Sequence, residues 1–315
     1  MEFSLLMSVY GREKPKYLKE AIASAMDQTL PPKELVLVGD GPLPLPLAKA
    51  VEELCGCYPA IRFVPLAENV GLGRALAIGL KHCSHDIVAR MDTDDICLPC
   101  RFELQMAYLA DHPECSVLGS WIEEFDPAQP GRGWLKKMPE TAEEIAAYGK
   151  FRNPVNHMTA VFRRERVEAV GSYRHDPLLE DYDLWLRMLA AGEKFYNLPR
   201  VLVRMRVEGS TYERRGGIQY FRRYLKLRRE ERELGLLPGS DYIKAVLGTA
   251  LMVQAEADRR ASTGSGRSPA DLVDSVCSPG GTTVAGLVAL ERAGFSDALI
   301  RAVQATVARD RELGA

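Results

Sequence analysis

FSLLMSVYGREKPKYLKEAIASAMDQTLPPKELVLVGDG, residues 3–41, reads as strand, helix, strand, and this unit decides the fold. FSLLMSVYG is an apolar strand-like run closed by glycine, PKYLKEAIASAMDQ carries a helical pattern, and ELVLVGDG is again a strand. Working outward, LAKAVEELCG is a helix, IRFVPLA a strand, GRALAIGLKHC a helix and DIVARMD a strand. Strict alternation of this kind predicts an α/β fold with a mainly parallel, doubly wound sheet. The regularity then loosens. CSVLGSWIEEF and HMTAVFRR read as further strands, helices are expected near 141–150 and 180–191, and FYNLPRVLVRMRV reads as a late strand pair. Residues 214–233 are strongly basic, with eight Arg/Lys against three Glu and aromatics at helical spacing. Residues 256–268, EADRRASTGSGRS, have linker composition, and the tail that follows reads as two or three helices around a Gly-rich turn.

Composition narrows the function classes. At 315 residues, with 46% apolar and 27% charged side chains, the chain can bury one large or two modest cores. A formal charge of −2 gives no overall attraction for nucleic acid, so an anionic ligand needs a local patch or a bridging metal. No apolar run is long enough to cross a bilayer, the best being AVLGTALMV at 245–253. The opening MEFSLLMSVYG reads as a strand rather than a secretory leader, and seven thinly spread cysteines suit a reducing cytoplasm. Cys55-Gly-Cys57 and Cys97-x-x-Cys100 lack a second pair at zinc spacing and read as plain thiols.

In an open α/β sheet, ligands bind beyond the carboxyl ends of the strands. Three such ends carry candidate groups: Val9 and Tyr10 after the first strand, Asp40 after the second, and Asp92, Asp94 and Asp95 after the fourth. Carboxylates alone repel phosphate, but two at i, i+2 can hold Mg²⁺ or Mn²⁺, which then binds a diphosphate. The competing reading is that Asp-Thr-Asp-Asp caps a helix starting near Pro99. Gly71-x-Gly73 after a strand suggests a dinucleotide fingerprint, yet Leu76 stands at the third glycine position, so a tight turn beside a nucleotide fits better. Arg74 there reads equally as a phosphate or base contact and as a solvated helix-start arginine. Glu180 and Asp181 precede an apolar helical stripe. Capping and proton acceptance from an attacking hydroxyl are both consistent with that position. His157 precedes a strand and is a candidate acceptor or phosphate contact, with a structural role as the alternative.

The ordered set SVYGREKPKYLKEAIASAMDQT, ELVLVGDG, ENVGLGRALAIGL, DIVARMDTDD, NHMTAVFRR and LLEDYDLWLRML resembles the family-2 inverting glycosyltransferases of GT-A fold. LVRMRVEGSTYERRGGIQYF narrows the resemblance to the amylovoran and exopolysaccharide-biosynthesis type, over residues 1–254. The resemblance implies a hexosyltransferase that moves a sugar from a nucleotide diphosphate donor, a UDP-sugar, to a hydroxyl of a polysaccharide or lipid-linked saccharide. It implies that Val9, Tyr10 and Asp40 hold the base, that Asp92 and Asp94 form the D-x-D motif with Asp94 on the metal, and that Asp181 is the catalytic base. Arg74 and Asp92 then belong to the nucleotide-sugar site, and His157 and Glu180 lie near acceptor or phosphates. Gly39 departs from a commonly acidic position, which predicts a looser base pocket, and Glu208 falls near a common metal-binding His position. The basic stretch 214–233 is expected either to be solvated or to lie on anionic lipid at the inner face of the plasma membrane, where a lipid-linked acceptor would be found.

SPADLVDSVCSPGGTTVAGLVALERAGF resembles the C-terminal signature of pyrroline-5-carboxylate reductases, in which a helical domain forms the dimer. Carried over, Ser278, Gly280, Gly281, Thr282 and Thr283 form its substrate loop. The expected organisation is a transferase domain over 1–254, a linker over 255–267, and an all-α, fusion-derived segment over 268–315 serving a homodimer. Two other functions remain open at this point: an NADP-linked pyrroline-5-carboxylate-type reductase, and a catalytically idle sugar-nucleotide scaffold.

Overall fold

The computed structural model describes residues 1–207 apart from 130, 176 and 177, residues 218–238, and residues 241–249 apart from 243 and 247. Five strands and four helices follow in near alternation: β1 (Ser4–Tyr10), α1 (Pro15–Met26), β2 (Glu34–Asp40), α2 (Leu45–Cys57), β3 (Ile61–Pro65), α3 (Leu72–Leu80), β4 (Ile87–Arg90), β5 (Ile96–Cys97) and α4 (Arg101–Asp111). Pro15 lies in the first turn of α1, where its missing N–H costs no helical hydrogen bond. The second half adds β6 (Cys115–Phe125), β7 (Gly133–Lys136), α5 (Ala142–Gly149), β8 (Val161–Arg163), α6 (Arg164–Ala169), α7 (Glu180–Ala190), β9 (Lys194–Arg206) and α8 (Ile218–Glu233). Thr141 and Glu144 close α5 with a reciprocal capping box.

The strands form one sheet in the order β3-β2-β1-β4-β8-β6-β9-β5, with β7 on β6. β3, β2, β1 and β4 are parallel, as are β6 and β9, while β8 runs antiparallel between β4 and β6. Chain order reverses direction across the sheet at β1, so the crevice between the β1 and β4 ends is where a ligand is expected. Side chains alternate between two cores. Leu5, Met7 and Val9 pack with α1, α2 and α4, whereas Leu6, Val36 and Val38 pack with α3 and α7. Burial on both faces explains why these strands read as continuous apolar runs.

Three expectations need correction. HMTAVFRR is strand only from Val161, because His157–Thr159 form a 3-10 turn. FYNLPRVLVRMRV is one strand, β9, whose pairing with β6 shifts register around Trp121, and Pro199 lies inside it. The basic stretch is not a uniformly solvated face: Arg228 is 1% exposed, and Leu227 and Tyr224 pack on Leu179, Tyr182 and Leu186. Glu208, residues 214–217, the linker 255–267 and the tail 268–315 with its Ser278, Gly280, Gly281, Thr282 and Thr283 loop lie outside the described residues. Among the described residues no helix is long and apolar enough to cross a membrane.

Candidate active site

At the carboxyl end of β2, Asp40 is buried and its two carboxylate oxygens accept the backbone N–H groups of Val70 (2.7 Å) and Gly71 (3.1 Å). Asn69 Nδ2 also donates to the Asp40 carbonyl, so this strand end is tied to the turn that opens α3. Gly71 caps that helix with φ +86°, a left-handed conformation that only glycine adopts without strain. Any side chain at Gly73 would strike the Arg174 carbonyl and approach Glu180 Cβ to 3.1 Å, so its absence lets α3 lie against the start of α7. The space that an acidic side chain at position 39 would need is filled by the Phe63 ring, 2.7 Å from an ideal Cβ there. Tyr10 is half-buried at the β1 end. Val9 has its side chain in the α1/α2 core, and it stands in register with Gly39 of β2. Arg74 is exposed on the first turn of α3.

The Asp-Thr-Asp-Asp turn does not cap α4: the cap residue is Cys100, which makes no side-chain cap hydrogen bond. Instead β9 and β4 brace the turn. Arg206 donates its backbone N–H to Asp95 Oδ1 (2.8 Å) and its Nε to the Asp94 carbonyl (2.8 Å), and it stacks on Tyr17. Arg90, 2% exposed, pairs through Nη2 with Asp92 Oδ1 at 2.5 Å, while Asp92 remains 32% exposed. Burial, then the Asp92 charge, push the Asp94 carboxyl up to about 6. Burial and both neighbouring carboxylates hold Asp95 well above the ordinary range. Crowded, partly desolvated carboxylates that resist ionising together are a donor set that a hard divalent cation would relieve. Asp92 and Asp94 thus fit Mg²⁺ or Mn²⁺. Among the described residues no group of three His, Cys, Asp or Glu converges.

Glu180 and Asp181 open α7. Asp181 Oδ1 accepts the N–H of Tyr182 (2.8 Å), and Oδ2 accepts Asn153 Nδ2 (2.6 Å). Glu180 is buried, and burial followed by the Asp181 charge pushes its carboxyl up to about 7. His157 lies between Tyr173 and Trp185, with Nε2 hydrogen-bonded to the Tyr173 hydroxyl at 3.0 Å. Burial and then the Arg90 charge hold it well below its usual pKa, so it is neutral. Arg90 pairs directly with Asp92, and the charges of Tyr173 and Asp181 act on its guanidinium more weakly.

The family model for glycosyl transferase family 2 matches residues 4–169, which contain β1 to β8. The chain belongs to glycosyl transferase family 2. Among its family-2 relatives, an amylovoran biosynthesis glycosyltransferase of Erwinia amylovora is 40% identical over 253 residues, covering 79% of this chain and 94% of the relative. A UDP-Gal:α-D-GlcNAc-diphosphoundecaprenol β-1,3-galactosyltransferase of Escherichia coli is 38% identical over 219 residues, covering 70% and 79%. Staphylococcus aureus TarS 1–349 with UDP-GlcNAc shares the fold at TM-score 0.59 and 18% identity, over 73% of this chain and 66% of that one. A mannosyltransferase of Pyrobaculum calidifontis with GDP-Man and Mn²⁺ does so at TM-score 0.57 and 18% identity, over 86% and 77%. A second model, for pyrroline-5-carboxylate reductase dimerisation, matches residues 242–313. The chain is thus a glycosyltransferase of GT-A type with a reductase-like C-terminal segment.

Sequence reasoning passed over three residues of this candidate site: Arg90, Asn153 and Arg206. Arg90 carried a signal, because a charged residue inside the apolar run DIVARMD is rarely buried without a purpose. Asn153 and Arg206 carried none, since each acts on a residue distant in the sequence.

Proposed function

We propose that the chain transfers a hexose from a UDP-sugar to a hydroxyl of a lipid-linked or polysaccharide acceptor in bacterial surface-polysaccharide synthesis, with inversion at the anomeric carbon and with Mg²⁺ or Mn²⁺ bound. The observation that carries this reading is the crowding of Asp92, Asp94 and Asp95 at the β4 end, with Asp92 paired to the buried Arg90; Asp181, held at the start of α7 by Asn153, supports the proton-acceptor role. The names of the Erwinia and Escherichia relatives support a sugar-nucleotide donor and a surface-glycan acceptor. In this reading Tyr10, the Val9 backbone and Asp40 form the base pocket, Asp40 also bracing its wall, and Arg74 reaches a phosphate. A divalent cation would be held by Asp92 and Asp94 and, when bound, would supply positive charge to the departing diphosphate. Asp181 takes the acceptor proton as the hydroxyl attacks from the far side of the sugar, and Glu180 and neutral His157 border that position. The exposed side of α8 is proposed to rest on anionic lipid, and the 242–313 segment to pair two chains.

Thermal shift with UDP, GDP, dTDP and NADPH, each with and without Mn²⁺, tests the donor class. Stabilisation by UDP that needs Mn²⁺ is expected, and Asp94→Ala abolishes it. Asp181→Asn lowers turnover on the order of 10²- to 10⁴-fold while UDP binding stays intact. Stabilisation by NADPH instead, or wild-type turnover in Asp181→Asn, overturns the reading.

A further inference from the structure

Asp181 does not stand alone at the head of α7. Its Oδ2 receives a 2.6 Å hydrogen bond from Asn153, 28 positions earlier in the chain. The loop that carries Asn153 is held from several sides. The Pro154 carbonyl accepts Asn197 Nδ2 (3.0 Å), Val155 is fully buried, and Asn156 Nδ2 donates to the Ser120 carbonyl (3.1 Å). Behind it, Arg228 donates to the carbonyls of Lys150 and Phe151. The Asn153 amide therefore reaches Asp181 from a segment fastened to β6, β9 and α8. An amide is suited to this place because it donates an N–H without a titratable proton, which favours the ionised carboxylate. Glu180, the residue before it, is buried, and burial pushes its carboxyl up, which favours the protonated form there.

We propose that Asn153 is a positioning residue that selects Asp181, rather than Glu180, as the proton acceptor by fixing its carboxylate in orientation and in its charged form. The proposal rests on Asp181 being the base. Among the charged or titratable groups that act on Asp181 are Arg90 from β4, Tyr173 from the loop before α7, and Glu180 on α7 itself. Removing the amide donor leaves those three in place and takes away one hydrogen bond to the anion. The acid limb of the rate profile is then expected to move upward, because a carboxylate that loses an N–H donor holds its proton to higher pH.

The test measures UDP release from UDP-galactose with Mn²⁺, water serving as acceptor, for the wild type, Asn153→Ala, Asp181→Asn and the double variant. Asn153→Ala is expected to lower kcat at neutral pH at least tenfold, to leave the UDP Kd within twofold, and to move the acid limb up by about one pH unit. In the Asp181→Asn background the same substitution is expected to change nothing further, which a general folding defect would not mimic. Asn153→Asp, close to isosteric, is expected to be at least as inactive, since two carboxylates would then share one site. Inactive Asp181→Asn with wild-type kcat and pH profile in Asn153→Ala overturns the Asn153 proposal alone. Active Asp181→Asn, or no UDP release from the wild type, overturns the base assignment and the proposal with it.

Discussion

Glu180 sits 7% exposed beside Asp181, and its carboxyl is pushed up to about 7 from an ordinary value of 4.5, by burial first and the Asp181 charge second. The folded protein therefore binds this proton more tightly than the unfolded chain does. Stability from that proton is fully present below about 4.5 and is lost as pH rises through about 7. The loss amounts to about 3 kcal/mol at 1.36 kcal/mol per pH unit. Glu180→Gln carries no charge at any pH and escapes it. The melting temperature of Glu180→Gln is expected to match wild type near pH 4.5 and to rise above it progressively up to pH 8. A difference that stays flat with pH would mean that Glu180 ionises in the ordinary range. Arg90 illustrates the same economy from the cationic side: its Nε and Nη1 are buried without a hydrogen-bond partner among the described residues. A guanidinium kept in that state is a feature of a site built for charge rather than of a core built for stability.

At the scale of elements, α8 shows what a charge count conceals. Arg228 is 1% exposed and Glu231 is fully buried, and their ion pair lies against the Tyr182 hydroxyl, one residue past Asp181. Arg228→Ala leaves the Glu231 carboxyl buried without its cation, and a loss of about 3–5 kcal/mol is expected from denaturant unfolding. Arg228→Met with Glu231→Leu is expected to recover most of that stability, since well-packed apolar side chains substitute for a buried pair at little cost. If the double variant were no more stable than Arg228→Ala, the hydrogen bonds to Lys150 and Phe151 rather than the ion pair would be what holds α8. The helix itself was legible from its period, and so were β1 to β4 and α7, because strand and helix alternate over short distances there. Burial of Arg228 was not legible, for it depends on Tyr182 and Thr249, far along the chain. The D-x-D turn divides the same way. Its carboxylates and their place after β4 are local facts. Its brace is Arg206 on Asp95, a hydrogen bond spanning 111 positions that no periodicity reports. Two-residue β5 is too short to carry a period at all.

For the whole molecule, the two family matches run over 4–169 and 242–313, and the second begins inside residues that serve the transferase body. Thr249 Oγ1 accepts from Arg228 Nε at 3.3 Å and donates to the Ala245 carbonyl, and Ala245 is 2% exposed. Tyr242 lies under the Arg232 guanidinium. The beginning of the reductase-like match is thus in use as a buttress for α8, which in turn holds the 150–151 loop ahead of Asn153. Where the chain is cut should therefore decide which property is lost. Ending it after residue 254 retains Thr249 and the α8 contacts, so UDP with Mn²⁺ is expected to stabilise the shortened chain as it does the full one. That chain is expected to sediment as a monomer where the full chain sediments as a dimer. Ending it after residue 241 removes Tyr242, Ala245 and Thr249 together, which exposes the Arg228 pair and loosens the loop. A lower melting temperature and a weaker UDP response are expected from this second cut. Sedimentation velocity and thermal shift on the three chains separate the two roles. A dimer that survives the cut at 254 would place the pairing surface on the transferase domain, and equal melting temperatures for both cuts would show that α8 needs no support from the segment after it.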